Sequence, residues 1–122
     1  MIEELGKEGE EKIMLLLKSW RYKVQSPDWL AEKDGEWICV EAKRKERFTP
    51  PPFEGHGLDL RQVFLRNKML KEIKIRTLLV IYEIGTDDIY FQWLDILEKG
   101  EKFVTKNNIV IYPLKIFQIM GI

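Results

Sequence analysis

The most informative stretch for the fold is residues 26–43, Ser26-Pro-Asp-Trp-Leu-Ala-Glu-Lys-Asp-Gly-Glu-Trp-Ile-Cys-Val-Glu-Ala-Lys43. Within it, Lys33-Asp-Gly-Glu36 separates two apolar runs, and Asp-Gly in that position is a strong signal for a β-hairpin. Side chains alternate between the two faces of a strand, so the second strand places Glu41 and Lys43 on the same face. A carboxylate and an amine that end an otherwise apolar strand mark a candidate functional site.

A second carboxylate, Asp28, follows Pro27 at the start of the first strand, and the hairpin brings it towards Glu41. Carboxylates on neighbouring strands suit a hard divalent cation such as Mg²⁺. A lysine beside them can help to activate water or stabilise charge on a phosphate. Asp28, Glu41 and Lys43 therefore form a minimal set for phosphodiester hydrolysis. The competing interpretation is a solvated cross-strand ion pair on a surface hairpin.

Composition limits the class of protein. The chain has 122 residues, enough for one domain with a core, and 45% of them are apolar, which is typical of globular proteins. Twenty basic and 20 acidic residues give zero net charge, so any surface for a polyanion must be local. One cysteine excludes an internal disulfide and a Cys-rich zinc site. Without a signal peptide or a membrane-spanning run, we expect a cytoplasmic protein that has no membrane partner.

The order of predicted elements favours one α/β sandwich with a mixed sheet. The patterns predict, in order, a helix over 3–20, a strand over 22–25, the hairpin over 28–43, a Pro-rich loop over 44–57, a helix from Leu58 or Asp59 to about Lys74, strands over 77–82 and 89–93, one helical turn over 94–98, paired strands over 102–105 and 109–112, and a short helix from Pro113. Leu60, Val63, Phe64 and Leu70 form the predicted buried stripe of the longer internal helix.

Pro27-Asp28 followed by Glu41-Ala42-Lys43 resembles the signature of the PD-(D/E)xK nuclease superfamily, which includes type II restriction enzymes, Mrr-like endonucleases and archaeal Holliday-junction resolvases. The resolvase branch is similar over residues 6–45. The resemblance implies an α/β restriction-endonuclease-like core, a mixed central β-sheet flanked by helices, as a single nuclease domain over residues 1–122.

The resemblance also implies roles for individual residues. Asp28 and Glu41 would be metal ligands, with the main-chain carbonyl of Ala42 as a further ligand, and Lys43 would be the catalytic lysine. Glu10 on the first helix would contact the metal, directly or through water. The implied cofactor is Mg²⁺, for which Mn²⁺ would substitute.

Several of these assignments have alternatives. Glu8 and Glu11 compete with Glu10, and each of these acids also suits the positive end of a helix dipole. Gln62 is expected to contact the site or the DNA backbone, or to be a surface glutamine. A basic rim that would bind phosphates, or whose members are simply solvated charges, comprises Arg44, Lys45, Arg47, Arg61, Arg66 and Lys68.

His56, the only histidine, lies between two glycines, which suggest a close approach of backbones. It is either an accessory acid or base or a loop histidine without a catalytic role.

The leading functional hypothesis is a Mg²⁺-dependent DNA endonuclease. It acts either on branched DNA or as a general or sequence-guided endonuclease of a phage or mobile element. A resolvase requires a two-fold dimer, and residues 103–111 and 116–120 are the candidate homodimer surfaces. The alternatives are a non-catalytic nucleic-acid-binding module of the same fold and an interface protein with a chance motif.

Overall fold

The computed structural model describes residues 12, 15, 20, 23, 24 and 30–120. Within them the strands and helices are β1 (Lys23–Val24), β2 (Leu30–Lys33), β3 (Glu36–Lys45), β4 (Gly55–Asp59), α1 (Leu60–Ile73), β5 (Arg76–Glu83), β6 (Ile89–Trp93), α2 (Leu94–Lys99), β7 (Phe103–Val104), β8 (Ile109–Pro113), a 3₁₀ turn (Leu114–Ile116) and β9 (Gln118–Ile119). Most of the predicted first helix lies outside these residues, although Lys12 and Leu15 are helical. Among the described residues, no helix has the length and apolar character needed to cross a membrane.

The predicted β-hairpin is confirmed, because β2 and β3 pair in antiparallel fashion with Lys33 opposite Glu36. Asp34 and Gly35 form the two-residue turn, with φ of 52° and 84°. Positive φ at both central positions is the requirement of a type I′ turn, and glycine meets it without steric cost. The Gly35 amide also donates a hydrogen bond to Glu32 Oε2 at 2.8 Å. Local turn chemistry therefore fixes the register of the strand that carries Glu41.

The main sheet has six strands in the order β1-β2-β3-β5-β6-β9. β3 and β5 run parallel, and the other neighbours are antiparallel, so the sheet is mixed as the sequence predicts. β5 is buried along almost its whole length, which explains its continuous apolar run.

Each face of this sheet has its own hydrophobic core. On one face Val40 and Ala42 of β3 pack with Leu78 and Val80 of β5. The opposite face carries the second core, which includes Leu79 of β5, side chains of α1 and α2, and side chains of β4 and β8. Odd-numbered residues of β3 point to this second face.

A second sheet, in the order β4-β8-β7, adds strands to that face, and one of them was not predicted. The predicted loop over 44–57 is too long, because β3 continues through Lys45 and β4 begins at Gly55. β4 pairs with β8 so closely that a Cβ at Gly55 or Gly57 would overlap carbonyl oxygens of β8. The glycines around His56 thus serve the close backbone approach that the sequence suggests. The remaining loop, 46–54, is closed by paired hydrogen bonds between Phe48 and Gly55, at 2.9 and 3.1 Å.

Helix α1 agrees with its predicted bounds, but its buried stripe is wrong. Asp59 caps its start by accepting a hydrogen bond from the Arg61 amide at 2.9 Å. Only Val63 of the helix is buried, while Leu60 and Phe64 are 39% and 65% exposed. Leu58 of β4 and Tyr112 of β8 share this core with Val63, so the second sheet supplies core side chains on the face where α1 packs.

The C-terminal helix predicted from Pro113 is also wrong. A single 3₁₀ turn is followed by β9, which pairs with β6 at the edge of the main sheet. The Met120 amide continues that pairing with a hydrogen bond to the Ile89 carbonyl at 2.8 Å. The predicted turn of α2 and the pairing of β7 with β8 are confirmed.

Candidate active site

Glu41 lies in the middle of β3, opposite Leu79 in the parallel register with β5. Its side chain points to the face that carries the second hydrophobic core, and the residue is only 1% exposed. A buried carboxylate is costly unless a charge or a cation compensates it. Glu41 is therefore not the solvated member of a surface ion pair.

Arg66, on helix α1, supplies one compensating charge. Its Nε donates a hydrogen bond to Glu41 Oε1 at 2.6 Å, and its Nη2 contacts the same oxygen. Both contacts fall on Oε1, so the guanidinium is not arranged as a bidentate fork across the carboxylate. No pattern in the sequence indicates this pair, since its members are 25 positions apart on different elements.

The second oxygen of the same carboxylate, Glu41 Oε2, is buried and has no hydrogen-bond partner among the described residues. Buried polar atoms are nearly always satisfied, and those that are not call for an explanation such as an ion. A carboxylate oxygen is also the preferred ligand of Mg²⁺. Glu41 therefore fits the metal-ligand role that the sequence predicts.

The other predicted ligands are less defined. Asp28 and Glu10 lie outside the described residues, as do Glu8 and Glu11. Within the part of the chain that is described, no three acidic, histidine or cysteine side chains gather to hold a metal. Ala42 is fully buried, and its role as a carbonyl ligand stays a prediction.

Lys43 lies two positions after Glu41 on the same face of β3 and is partly exposed. It lines a cleft of about 500 Å³ together with Gln62 of α1. The structure thus brings together the predicted catalytic lysine and the predicted site glutamine. Lys45 and Arg61 line the same cleft, which gives it several cationic groups.

The predicted basic rim does not form one continuous surface. Lys45 and Arg61 line the cleft, and Arg66 pairs with Glu41. Arg44 points to the opposite face of β3, where its guanidinium lies 6.0 Å from the centre of the Tyr82 ring. Lys68 is exposed on α1, and its Nζ lies 4.0 Å from Glu72.

Arg47, the remaining member of the rim, belongs to a buried network. Its Nη2 and Nε lie 3.0 and 3.1 Å from the two carboxylate oxygens of Glu83, at the end of β5. Nη2 also donates to the Tyr90 hydroxyl at 3.1 Å. These contacts of Arg47 with Glu83 and Tyr90 hold the start of the loop 46–54 against the core.

His56 is part of the same network, fully buried, with its Nε2 2.7 Å from Glu83 Oε2. Burial lowers the pKa of His56, and the hydrogen bond to Glu83 only partly offsets that effect. Burial acts to raise the pKa of Glu83, but hydrogen bonds from Arg47, Thr86 and His56 outweigh it and leave the pKa lowered. The structure gives His56 a structural partner in the core and no exposed edge for a substrate.

Glu83 was not among the predicted residues, although the sequence contains a signal for it. Glu83 ends the apolar strand β5, just as Glu41 interrupts the apolar strand β3. Lys45 lies opposite Glu83 in the register of the two strands. A carboxylate at the end of a buried run is the feature that the two positions share.

Comparison with known structures supports the fold. No protein-family model and no curated protein matches the chain. The chain is similar to the solved structure of Archaeoglobus fulgidus Hjc, a Holliday junction resolvase from an archaeal hyperthermophile. The TM-score is 0.51 over 84% of each chain, at 12% sequence identity. Together with the mixed sheet flanked by helices, this likeness confirms the predicted fold class: the chain has the restriction-endonuclease-like fold.

Proposed function

We propose that the protein is a metal-dependent DNA endonuclease that hydrolyses phosphodiester bonds, with branched DNA as its substrate. The observation that carries the proposal is the buried Glu41 carboxylate, whose Oε2 lacks a partner among the described residues, two positions before a lysine that lines a cleft. The resolvase fold of Hjc supports the choice of DNA, and of branched DNA in particular.

Glu41 would hold Mg²⁺ through Oε2, with Asp28, the carbonyl of Ala42 and Glu10 as the further ligands that the resemblance implies. The sequence predicts that the hairpin brings Asp28 towards Glu41, and the hairpin itself is confirmed over the described residues, from Leu30 opposite Cys39 to Lys33 opposite Glu36. When bound, the ion would polarise the phosphate and lower the pKa of the attacking water.

Two side chains would act on the phosphate from the cleft. Lys43 presents an ammonium group that stabilises the negative charge developing on the phosphate in the transition state. Gln62, on the other side of the cleft, presents an amide that can bind and orient a phosphate oxygen. Arg66 would act as a positioning residue, because its contacts to Oε1 hold the Glu41 carboxylate while Oε2 has no partner in the described part of the chain.

A second candidate is a non-catalytic nucleic-acid-binding domain. The ion pair between Arg66 and Glu41 favours it, because a guanidinium already compensates part of the buried charge. In that case the pair would be structural and the cleft would bind DNA without cutting it.

A cleavage assay separates the two candidates. A labelled four-way junction and a linear duplex of matched sequence are incubated with the protein and Mg²⁺, Mn²⁺ or EDTA. We expect metal-dependent cutting, faster on the junction, and loss of about a hundredfold or more in Lys43→Met. Lys115→Met is the control, because that lysine is 78% exposed and only weakly paired. Binding of the junction without metal-dependent cutting would instead support the non-catalytic domain.

A homodimer is part of the same proposal, because two cuts in a four-way junction require two sites. The edge strand β7 lies within the predicted 103–111 surface, and its Phe103 and Val104 are each 46% exposed. In the predicted surface 116–120, Ile119 is 55% exposed. Light scattering of Phe103→Asp beside the wild type tests this: a monomeric wild type contradicts the dimer.

A further inference from the structure

The cleft that Lys43 lines combines cationic and apolar side chains. Lys45 and Arg61 give it positive charge beyond the lysine that acts on the phosphate. Its wall also has an apolar part, which includes Phe48, Leu65 and Ile109. Its volume of about 500 Å³ falls within the range of sites that enclose a small organic group.

A paired DNA backbone does not require such a wall. Contacts to phosphates in duplex DNA come from cations, hydroxyl groups and backbone amides. An aromatic ring next to cations is instead the usual arrangement for an unpaired nucleotide, whose base stacks on the ring while its phosphate meets the charges. The combination of charges and apolar surface therefore favours a nucleotide that has left the base stack.

Phe48 is held in place before any ligand arrives. Its backbone amide and carbonyl both bond to Gly55, at 2.9 and 3.1 Å. The preceding residue, Arg47, is fixed to the buried carboxylate of Glu83. These contacts fix the backbone that carries the ring, and the residue itself is only partly exposed. Preorganisation of this kind lowers the entropy that binding would otherwise lose.

We propose that this cleft binds one unstacked DNA nucleotide, with its base against Phe48 and its phosphate near Lys45 and Arg61. Asp59 also lines the cleft and offers a hydrogen-bond acceptor to the edge of the base. The inference rests on the proposed function for its choice of DNA as ligand. It adds a specificity-determining residue, since a fully paired duplex has no free base to place there.

The experiment measures DNA affinity in EDTA, so that cleavage plays no part. Fluorescence anisotropy compares a duplex that carries a single-stranded flap with a fully paired duplex of the same length. We expect Phe48→Ala to weaken flap binding about tenfold or more, in line with the loss of one base stack, and to leave duplex binding unchanged. Phe64→Ala is the control, because that ring is 65% exposed on α1 and does not line this cleft.

Two more variants keep the outcome clear if Phe48→Ala unfolds. Phe48→Trp retains a stacking face and should retain the preference for the flap, whereas Phe48→Leu keeps apolar volume and should lose it. An equal effect of Phe48→Leu on both DNAs, or none, would overturn the proposal. Failure of the protein to cut any DNA would leave this binding result standing, so the two proposals fail separately.

Discussion

Arg66 Nε lies 2.6 Å from Glu41 Oε1, while Glu41 Oε2 is buried without a partner among the described residues. Each oxygen of this one carboxylate thus has a different environment. One is bound to a guanidinium from α1, and the other is the atom that we propose as the metal ligand. The same carboxylate therefore contributes to the stability of the fold through Oε1 and to the proposed site through Oε2.

Removal of the Arg66 guanidinium should destabilise the protein, because Glu41 would keep a buried charge without compensation. We expect Arg66→Met to lower the free energy of unfolding by about 2 kcal/mol, below the roughly 3–5 kcal/mol of a fully buried pair, because the Arg66 side chain is 31% exposed. Urea unfolding measures it. Lys68→Met, on the same helix with an exposed partner at 4.0 Å, should change stability by less than about 0.5 kcal/mol. Equal effects of the two variants would contradict a special role for Arg66.

Divalent metal should stabilise the folded protein through Glu41, independently of any DNA. A ligand that binds only the folded state raises stability with its concentration, by about 2.7 kcal/mol at one hundred times its dissociation constant. We expect Mn²⁺ to raise the melting temperature of the wild type but not of Glu41→Gln, and EDTA to reverse the rise. Glu72→Gln removes an exposed carboxylate of α1 and should respond as the wild type does. A Mn²⁺ response that survives in Glu41→Gln would place the ion elsewhere.

The free energy of unfolding should decrease as the pH falls below the pKa that His56 has in the unfolded state. The folded-state pKa of His56 lies below its unfolded value of about 6.5, because burial disfavours the charged ring. The unfolded state then binds more protons, so stability is full above pH 6.5 and decreases as pH falls below it, by at most about 1.4 kcal/mol per pH unit. The groups that face the ring are Glu83, Arg47 and Tyr90.

His56→Gln tests that slope cleanly, because His56 is the only histidine in the chain. Urea unfolding from pH 7.5 to 5.5 should show the decrease in the wild type and little or none in the variant. Below about pH 4.5, Glu83 adds a further loss in both, because its pKa is lowered in the fold and protonation removes its ion pair. A variant with the wild-type slope above pH 5.5 would contradict the assignment to His56.

The close pairing of β4 with β8 predicts that Gly57 tolerates no side chain. A Cβ there would overlap the Val110 carbonyl, a backbone atom that cannot move without breaking the ladder. We expect Gly57→Ala to destabilise the protein by roughly 1–3 kcal/mol, as overpacking does. Gly100→Ala is the matched control, because its Cβ would lie 3.2 Å from the end of the Ile116 side chain and at an ordinary contact distance, 3.7 Å, from the Leu97 carbonyl oxygen. Thermal unfolding of both variants checks the difference, and similar melting temperatures would show that β4 accommodates the methyl group.

The sequence predicts well the features that local chemistry determines. The Asp34-Gly35 turn, the alternation along β3 and the continuous apolar run of β5 each carry their own signal, so the hairpin and the mixed sheet follow from them. β4 carries no such signal, because Gly55-His-Gly57 has low strand propensity and its partner β8 lies about fifty residues further along the chain.

Some residues of the candidate site can also be recognised from the sequence, whereas others are brought together only by the fold. Glu41 and Lys43 stand out because charge interrupts an apolar strand, and this is visible in the sequence. The partners that fix the site do not stand out, since only the folded chain brings Arg66 to Glu41, or Arg47 and His56 to Glu83. A basic residue near a motif is therefore a weak predictor of a phosphate contact, because internal carboxylates compete for it.

Metal-dependent cleavage of DNA through Glu41 is tested most directly by a single-turnover rate. The rate is that at which Mg²⁺-loaded protein cuts a labelled four-way junction, compared between the wild type and Glu41→Gln. The substitution keeps the size of the side chain and removes the charged ligand. We expect Glu41→Gln to bind the junction but to cut it about a hundredfold more slowly or not at all, and EDTA to abolish cutting by the wild type. Equal cutting by the two proteins, or no metal-dependent cutting by the wild type, would contradict this expectation.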